Sequence, residues 1–221
     1  MEKVRVLQLI NGVAIGEHSG GAESHALEVA RLLDRSEYEP AVFAAWGYGS
    51  PSERFWLDLL ASEGIRVEGL VPKKTTLRRD FVQVSRELWS MIGDFRPHII
   101  HSHSERYDSL NTLMRIVHPA RPKAVRTIQI DKQWQTHPHI GAVINSKLFP
   151  FLFHFEIAVS ERIFQELQNS RFHKEDKIGL CYNGVDEAAF SKTRGPMPDY
   201  LPDRRPLIGI AARLSDQKGH A

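Results

Sequence analysis

The chain has 221 residues, 42% of them apolar, and a formal charge of +2, the balance of an ordinary globular protein with no electrostatic case for nucleic acid. One cysteine, Cys181, excludes an internal disulfide and suits a reducing compartment, so a cytoplasmic location is expected. No apolar run is long enough to cross a bilayer, and MEKVRVLQLI leads straight into a strand pattern without a secretory signal.

The opening stretch organises the rest. Val4 to Ile10 is a short apolar run with too little alternation for a sheet face left in water, and predicts a buried strand. Ala22, Ala26, Val29, Ala30 and Leu33 recur at helical spacing, with Glu23, Glu28 and Arg31 between them. Gly20 and Gly21 sit where that helix begins. The first N–H groups of a helix lack internal partners and carry partial positive charge, and residues without Cβ let an anion approach the backbone. The spacing departs from GxGxxG, so no dinucleotide fingerprint is expected; a phosphate or sugar site and a plain strand-to-helix turn both fit the local pattern.

Strands and helices then alternate. Ala41–Trp46 predicts a strand and Ser52–Ser62 a helix with Phe55, Leu59 and Leu60 inward. Ile65–Leu70 alternates as a strand near the sheet edge. Asp80 is expected to cap a helix carrying Phe81, Val84, Leu88, Met91, Ile92 and Phe95, closed by Pro97. His98–His101 is a short strand, and Leu110, Leu113, Met114 and Val117 mark the next helix. Lys123–Ile130 is a strand before a loop rich in histidine and glutamine. Leu148–Phe155 reads as a buried helix-to-strand corner, Phe155–Val159 as a strand, Ser160 as a helix cap with Ile163, Phe164 and Leu167 inward, and Ile178–Tyr182 as the last strand. This alternation predicts an α/β fold: a Rossmann-like open parallel sheet with helices on both faces.

After Phe190 the chemistry changes. Residues 191–206 hold four prolines in sixteen positions and no apolar period, which predicts a linker. Leu207–Ala212 restarts a buried strand with little chain after it. The expected organisation is therefore a domain over 1–190, a linker over 191–206, and the beginning of a second domain over 207–221.

Five short motifs follow one another in order: GGAE at Gly20–Glu23, HSH at His101–His103, AVSE at Ala158–Glu161, NGVD at Asn183–Asp186 and ARLSDQKG at Ala212–Gly219. Together they resemble the N-terminal half of a retaining, nucleotide-sugar-dependent glycosyltransferase of the GT-B fold, in the large family 4 group. That resemblance implies two Rossmann-like domains facing across a cleft, the acceptor mostly on this half and the nucleotide sugar mostly on the other. It implies no metal and no cofactor beyond the nucleotide-diphosphate sugar itself, and a glycan, polyol or lipid-linked acceptor. Gly20, Gly21, Arg213 and Lys218 would hold the donor diphosphate, whose developing charge fixed cations and N–H donors can stabilise by several kcal/mol. The fragment alone would lack a complete donor site and be inactive. A sugar-nucleotide sensor and a GT-B-fold epimerase are the competing readings; a pair of glutamates spaced E-x7-E in the missing half would mark the transferase.

Other positions carry finer expectations. His101 and His103, two apart on a strand, share a face, and with His137 and His139 would be the material for a zinc site, but no cysteine or carboxylate clusters with them. His101 is expected at the cleft floor, and His18, Glu23 and His103 toward the acceptor. Many relatives carry a histidine where this chain has Gln129, which can position a substrate by hydrogen bonds but cannot titrate near neutral pH. Lys73, Lys74, Arg78 and Arg79 form a basic run suited to a phosphorylated acceptor or to anionic lipid at the membrane's inner face, or simply to solvent.

Overall fold

The computed structural model describes residues 2–72, 77–129, 138–170 and 172–184. Their seven strands form one parallel sheet in the order β3-β2-β1-β4-β5-β6-β7. The strands are β1 (Val4–Ile10), β2 (Tyr38–Gly47), β3 (Arg66–Pro72), β4 (Ile99–Ser102), β5 (Lys123–Ile128), β6 (Phe155–Ala158) and β7 (Ile178–Leu180). The helices are α1 (Gly21–Leu32), α2 (Pro51–Ser62), α3 (Leu77–Phe95), α4 (Glu105–Val117), α5 (Pro138–Val143), α6 (Phe149–Leu152) and α7 (Glu161–Gln168), with a π-helical turn over Ile144–Leu148.

β1 lies at the centre because it is apolar on both faces. Leu7 and Leu9 join Phe43 and Ile100 under Leu88, Met91 and Ile92 of α3 and Leu110 and Met114 of α4. Ile10, Val42 and Ala44 meet Ala26, Leu27 and Ala30 of α1 and Leu60 of α2 on the other side. The strand order reverses between β1 and β4, where Gln8 pairs in register with His101. The loops leaving these two strands therefore run to opposite faces and open a crevice beyond their carboxyl ends, the usual ligand position of open α/β sheets.

The expected architecture is observed, with local corrections. Phe55 is 62% exposed, and α2 instead turns Glu53, Trp56, Leu57 and Leu60 inward. α3 begins at Leu77, so Asp80 lies in its first turn rather than at its cap. Phe81, Leu113 and Val117 are exposed, because α3 and α4 cover the sheet with narrower stripes than their apolar content suggests. Ser160 does cap α7, accepting from the Ile163 N–H at 3.3 Å. Residues 191–206 and 207–221, the expected linker and second-domain strand, lie outside the described residues.

Candidate functional site

The loop leaving β1 is folded back on itself and pinned to β2 and α2. The Trp46 N–H donates to the Asn11 carbonyl (2.9 Å), and Ser52 Oγ donates to the Ile15 carbonyl (2.6 Å). Gly12 permits this closeness: a Cβ there would sit 2.9 Å from Tyr48 Cε2 and 3.0 Å from the Trp46 carbonyl oxygen. At the loop's exposed tip the His18 ring stacks on Tyr48, with centroids 4.4 Å apart and planes at 16°. The pair walls a hollow of about 670 Å³ that also touches Glu53, Leu70 and Pro72. Glu53, buried in α2, accepts the N–H groups of Tyr48 and Gly49 and so fixes the loop after β2.

Gly20 is the residue before α1, and its N–H donates to the Glu23 carboxylate at 2.8 Å. Glu23, expected on the acceptor side, thus closes the helix start and occupies the Gly20 donor. Gly21 is exposed, and a Cβ placed on it would meet nothing within 4 Å. The helical ladder leaves the N–H groups of Gly21, Ala22 and Glu23 without intrahelical acceptors. The end of α1 at the switch point is therefore open to an incoming group.

Behind it lies a chain of buried imidazoles. His101 and His103 share a face as their spacing requires, with ring centroids 4.2 Å apart. His101 Nε2 is 2.7 Å from Thr127 Oγ1, and His103 Nε2 is 2.7 Å from Gln8 Oε1. His25 of α1 sits edge-on to His103 at 6.0 Å. Burial drives the His101 pKa down to about 3, helped by the neighbouring His25, and holds His103 well below the usual imidazole range. Both rings are neutral at physiological pH. They can orient hydroxyls, but they are not proton donors of the imidazolium kind. His103 Nδ1 and Gln8 Nε2 are buried without a hydrogen-bond partner, as is Gln129 Nε2. Gln129 Oε1 accepts from Asn183 Nδ2 (3.0 Å), linking the loop after β5 to the end of β7.

Lys73, Lys74, His137, Arg213 and Lys218 lie outside the described residues, as does the side chain of Arg78. His139 is exposed, and among the described residues no group of three histidine, cysteine or acidic side chains is placed to hold a metal ion. No described helix is long and apolar enough to cross a membrane.

Two features carried no sequence signal. Tyr107 Oη donates to Asn11 Oδ1 (3.0 Å), and Asn11 Nδ2 donates to Tyr48 Oη (3.1 Å), a relay that ties the loops after β1 and β2 to α4. On the face of the sheet away from His101, Arg126 is 1% exposed. It donates to Glu156 (2.7 Å) and to Asn145 (3.0 Å), and lies 3.4 Å from Asp108. The rings of Phe149 and Phe153 pack on its guanidinium. Ser102 Oγ donates to Asp108 (2.7 Å), anchoring the cluster to the strand that also carries His101.

A parallel sheet with a reversal point and helices on both faces defines a Rossmann-like domain. The model of Glycosyltransferase Family 4 matches residues 19–189, well over half the chain, and the chain belongs to that family. No protein of curated function shows significant sequence similarity. Among solved structures, a glycosyltransferase from Rickettsia africae is similar at a TM-score of 0.62, with 19% identity, 86% of this chain covered and 46% of that one. HepE of Anabaena, solved in complex with UDP and glucose, gives 0.60 and 15%, covering 83% of this chain and 45% of its own. A UDP-N-acetylglucosamine 2-epimerase gives 0.58 and 14%, covering 81% and 48%. At these identities the likeness is one of fold, that of one half of a GT-B protein. The chain spans less than half the length of each of the three.

Proposed function

We propose that this chain is the acceptor-side half of a retaining glycosyltransferase that moves a sugar from a nucleotide-diphosphate sugar to a polar or lipid-linked acceptor. Synthesis of a cell-envelope or polysaccharide glycan is the setting this reading favours. The observation that carries it is the open start of α1 at the switch point, where Gly21 leaves room for an anion against unpaired N–H groups. Breaking the glycosidic bond builds negative charge on the departing diphosphate. Donors already aimed at that charge lower the barrier without reorganising. Gly21 rather than Gly20 is the approach point, since the Gly20 N–H is already engaged by Glu23. Arg213 and Lys218 would supply cations from the partner lobe, and no metal is required.

The histidines then act by position. His103 offers an unpartnered Nδ1 and Gln129 an unpartnered amide nitrogen, one acceptor and one donor for sugar hydroxyls. Neither titrates near neutral pH in this setting, so the leaving phosphate takes the acceptor's proton. The stacked His18–Tyr48 pair offers a sugar ring an apolar platform beside the 670 Å³ hollow. Lys73, Lys74 and Arg78 would meet a phosphate of the acceptor or an anionic lipid surface from the loop after β3.

The test is a donor screen with UDP-, GDP- and ADP-sugars on the longer protein to which we assign this chain. Transfer to an acceptor, or slow donor hydrolysis, is the expected result. Release of an epimerised sugar nucleotide would instead establish the epimerase reading, and binding without turnover the sensor. Arg213→Ala and Lys218→Ala should each depress turnover; normal turnover in both would remove the diphosphate assignment. The 221-residue chain by itself should not turn over.

A further inference from the structure

A second and larger hollow, of about 980 Å³, lies at the opposite edge of the sheet, where β1 and β4 begin. Arg96, His98, Arg121 and Lys123 line it, and among the described residues no carboxylate does. Among the described residues, the side chains of Arg96, Arg121 and Lys123 make no ion pair or hydrogen bond, while the Arg96 carbonyl accepts from Arg5 Nε at 2.9 Å. The nearby carboxylate of Glu2 is held at 2.7 Å by Arg5, whose hydrogen bond and charge keep its pKa low. Ile99, Pro119 and Pro122 supply an apolar floor.

Two of these cations stand where the backbone calls for glycine. Arg96, just past the end of α3, has φ +50°, and Arg121, whose N–H closes a turn on the His118 carbonyl (3.0 Å), has φ +43°. In the left-handed region a bulky side chain crowds its own backbone, and glycine does not. Of the three described non-glycine residues with positive φ, these two share one hollow, while the third, Leu70, lies at the far edge. α4 already carries a basic residue, Arg115, in its last turn, so the end of that helix does not call for Arg121; α3 carries none, and Arg96 stands just past its end.

The geometry points to a binding site for a phosphate-bearing small molecule, its phosphate among Arg96, Arg121 and Lys123 and its organic body on the Ile99–Pro119–Pro122 floor. Guanidinium pairs suit phosphate because their planar donors bind it in two-point fashion. The site is separate from the transfer crevice, at the other end of the same two strands, and stands or falls independently of it.

Amide NMR of the 221-residue chain titrated with pyrophosphate tests this. Saturable shifts are expected at Gly93, Ala120 and Arg121, weakening as salt is added. R96G/R121G removes both charges while suiting both turns, so it should keep or raise Tm yet weaken pyrophosphate binding about tenfold or more. K123A, which leaves both turns untouched, should weaken it about threefold. AMP should bind more tightly than inorganic phosphate, because the floor then contributes. The proposal is overturned if pyrophosphate shifts only the Gly21–Glu23 amides, if R96G/R121G and K123A bind as the parent does, or if AMP gains nothing over phosphate.

Discussion

His103 Nε2 lies 2.7 Å from Gln8 Oε1, and this contact decides which side of the imidazole is free. The amide oxygen can only accept, so Nε2 carries the proton and Nδ1 is left as a buried acceptor without a partner. Gln8→Leu keeps the volume but strands the Nε2–H. It should cost about 1–3 kcal/mol in urea unfolding. A variant as stable as the parent would mean that the ring turns to find another acceptor.

The buried histidines set an acid limb of stability. His101 has a folded pKa of about 3 against 6.5 when free, and His103 is lowered in the same sense. Below about pH 6.5 the unfolded chain takes up protons that the folded chain refuses, so stability falls as pH drops. Asp108 works the other way: burial, against the pull of Arg126, lifts it from 3.8 to about 6. It binds a proton on folding between those values and gains stability on acidification. With two histidines against one carboxyl, Tm should decline from pH 6.5 toward 4.5. H101Q should flatten that decline, and an unchanged slope would assign the limb to other groups.

Gly12 and Gly21 should respond in opposite ways to alanine. At Gly12 the new Cβ meets Tyr48 and the Trp46 carbonyl at 2.9 and 3.0 Å, and overpacking of this kind costs about 1–3 kcal/mol. At Gly21 it meets nothing within 4 Å, so the change should stay within about 0.5 kcal/mol of the parent. In the longer protein proposed above, G21A should still weaken binding of the proposed nucleotide donor, read with UDP, by obstructing approach to the helix start. Thermal melts and UDP titrations separate the two effects, and unimpaired UDP binding by G21A would count against the site.

Arg126→Met should be the most damaging of these substitutions. Arg126 is the counter-charge of Glu156 and Asp108, both at most 2% exposed. Burial pushes Glu156 up, but hydrogen bonding to His173 and the charge of Arg126 outweigh it and leave its pKa low. Stranding two buried carboxylates costs about 3–5 kcal/mol by urea unfolding. A loss below about 1 kcal/mol would mean that both carboxyls are protonated in the fold.

Much of this arrangement was legible along the chain. Val4–Ile10 reads as a doubly buried strand because apolar residues fall on both of its faces. The shared face of His101 and His103 follows from the two-residue period of a strand. The position of Gly20–Gly21 at a helix start is equally local. Helix faces were less legible. α2 buries Glu53 and exposes Phe55, because the Tyr48 and Gly49 N–H groups need a buried acceptor that the apolar count does not register.

What sequence determined by itself, then, is the alternation of elements, their parallel sheet and the placement of flexible glycine at the first crossover, all properties of neighbours within a few residues. Tertiary structure alone decided the rest. Arg126 sits in KAVRTI like a solvent-facing residue of an edge strand, and only the closure of α4 and α6 over β5 buries it between partners 18 and 30 positions away. The Asn11–Tyr48–Tyr107 relay and the free nitrogen of His103 arise the same way. Burial strips water from a polar group, and which partner replaces that water depends on chain brought in from far along the sequence, where no local pattern reaches.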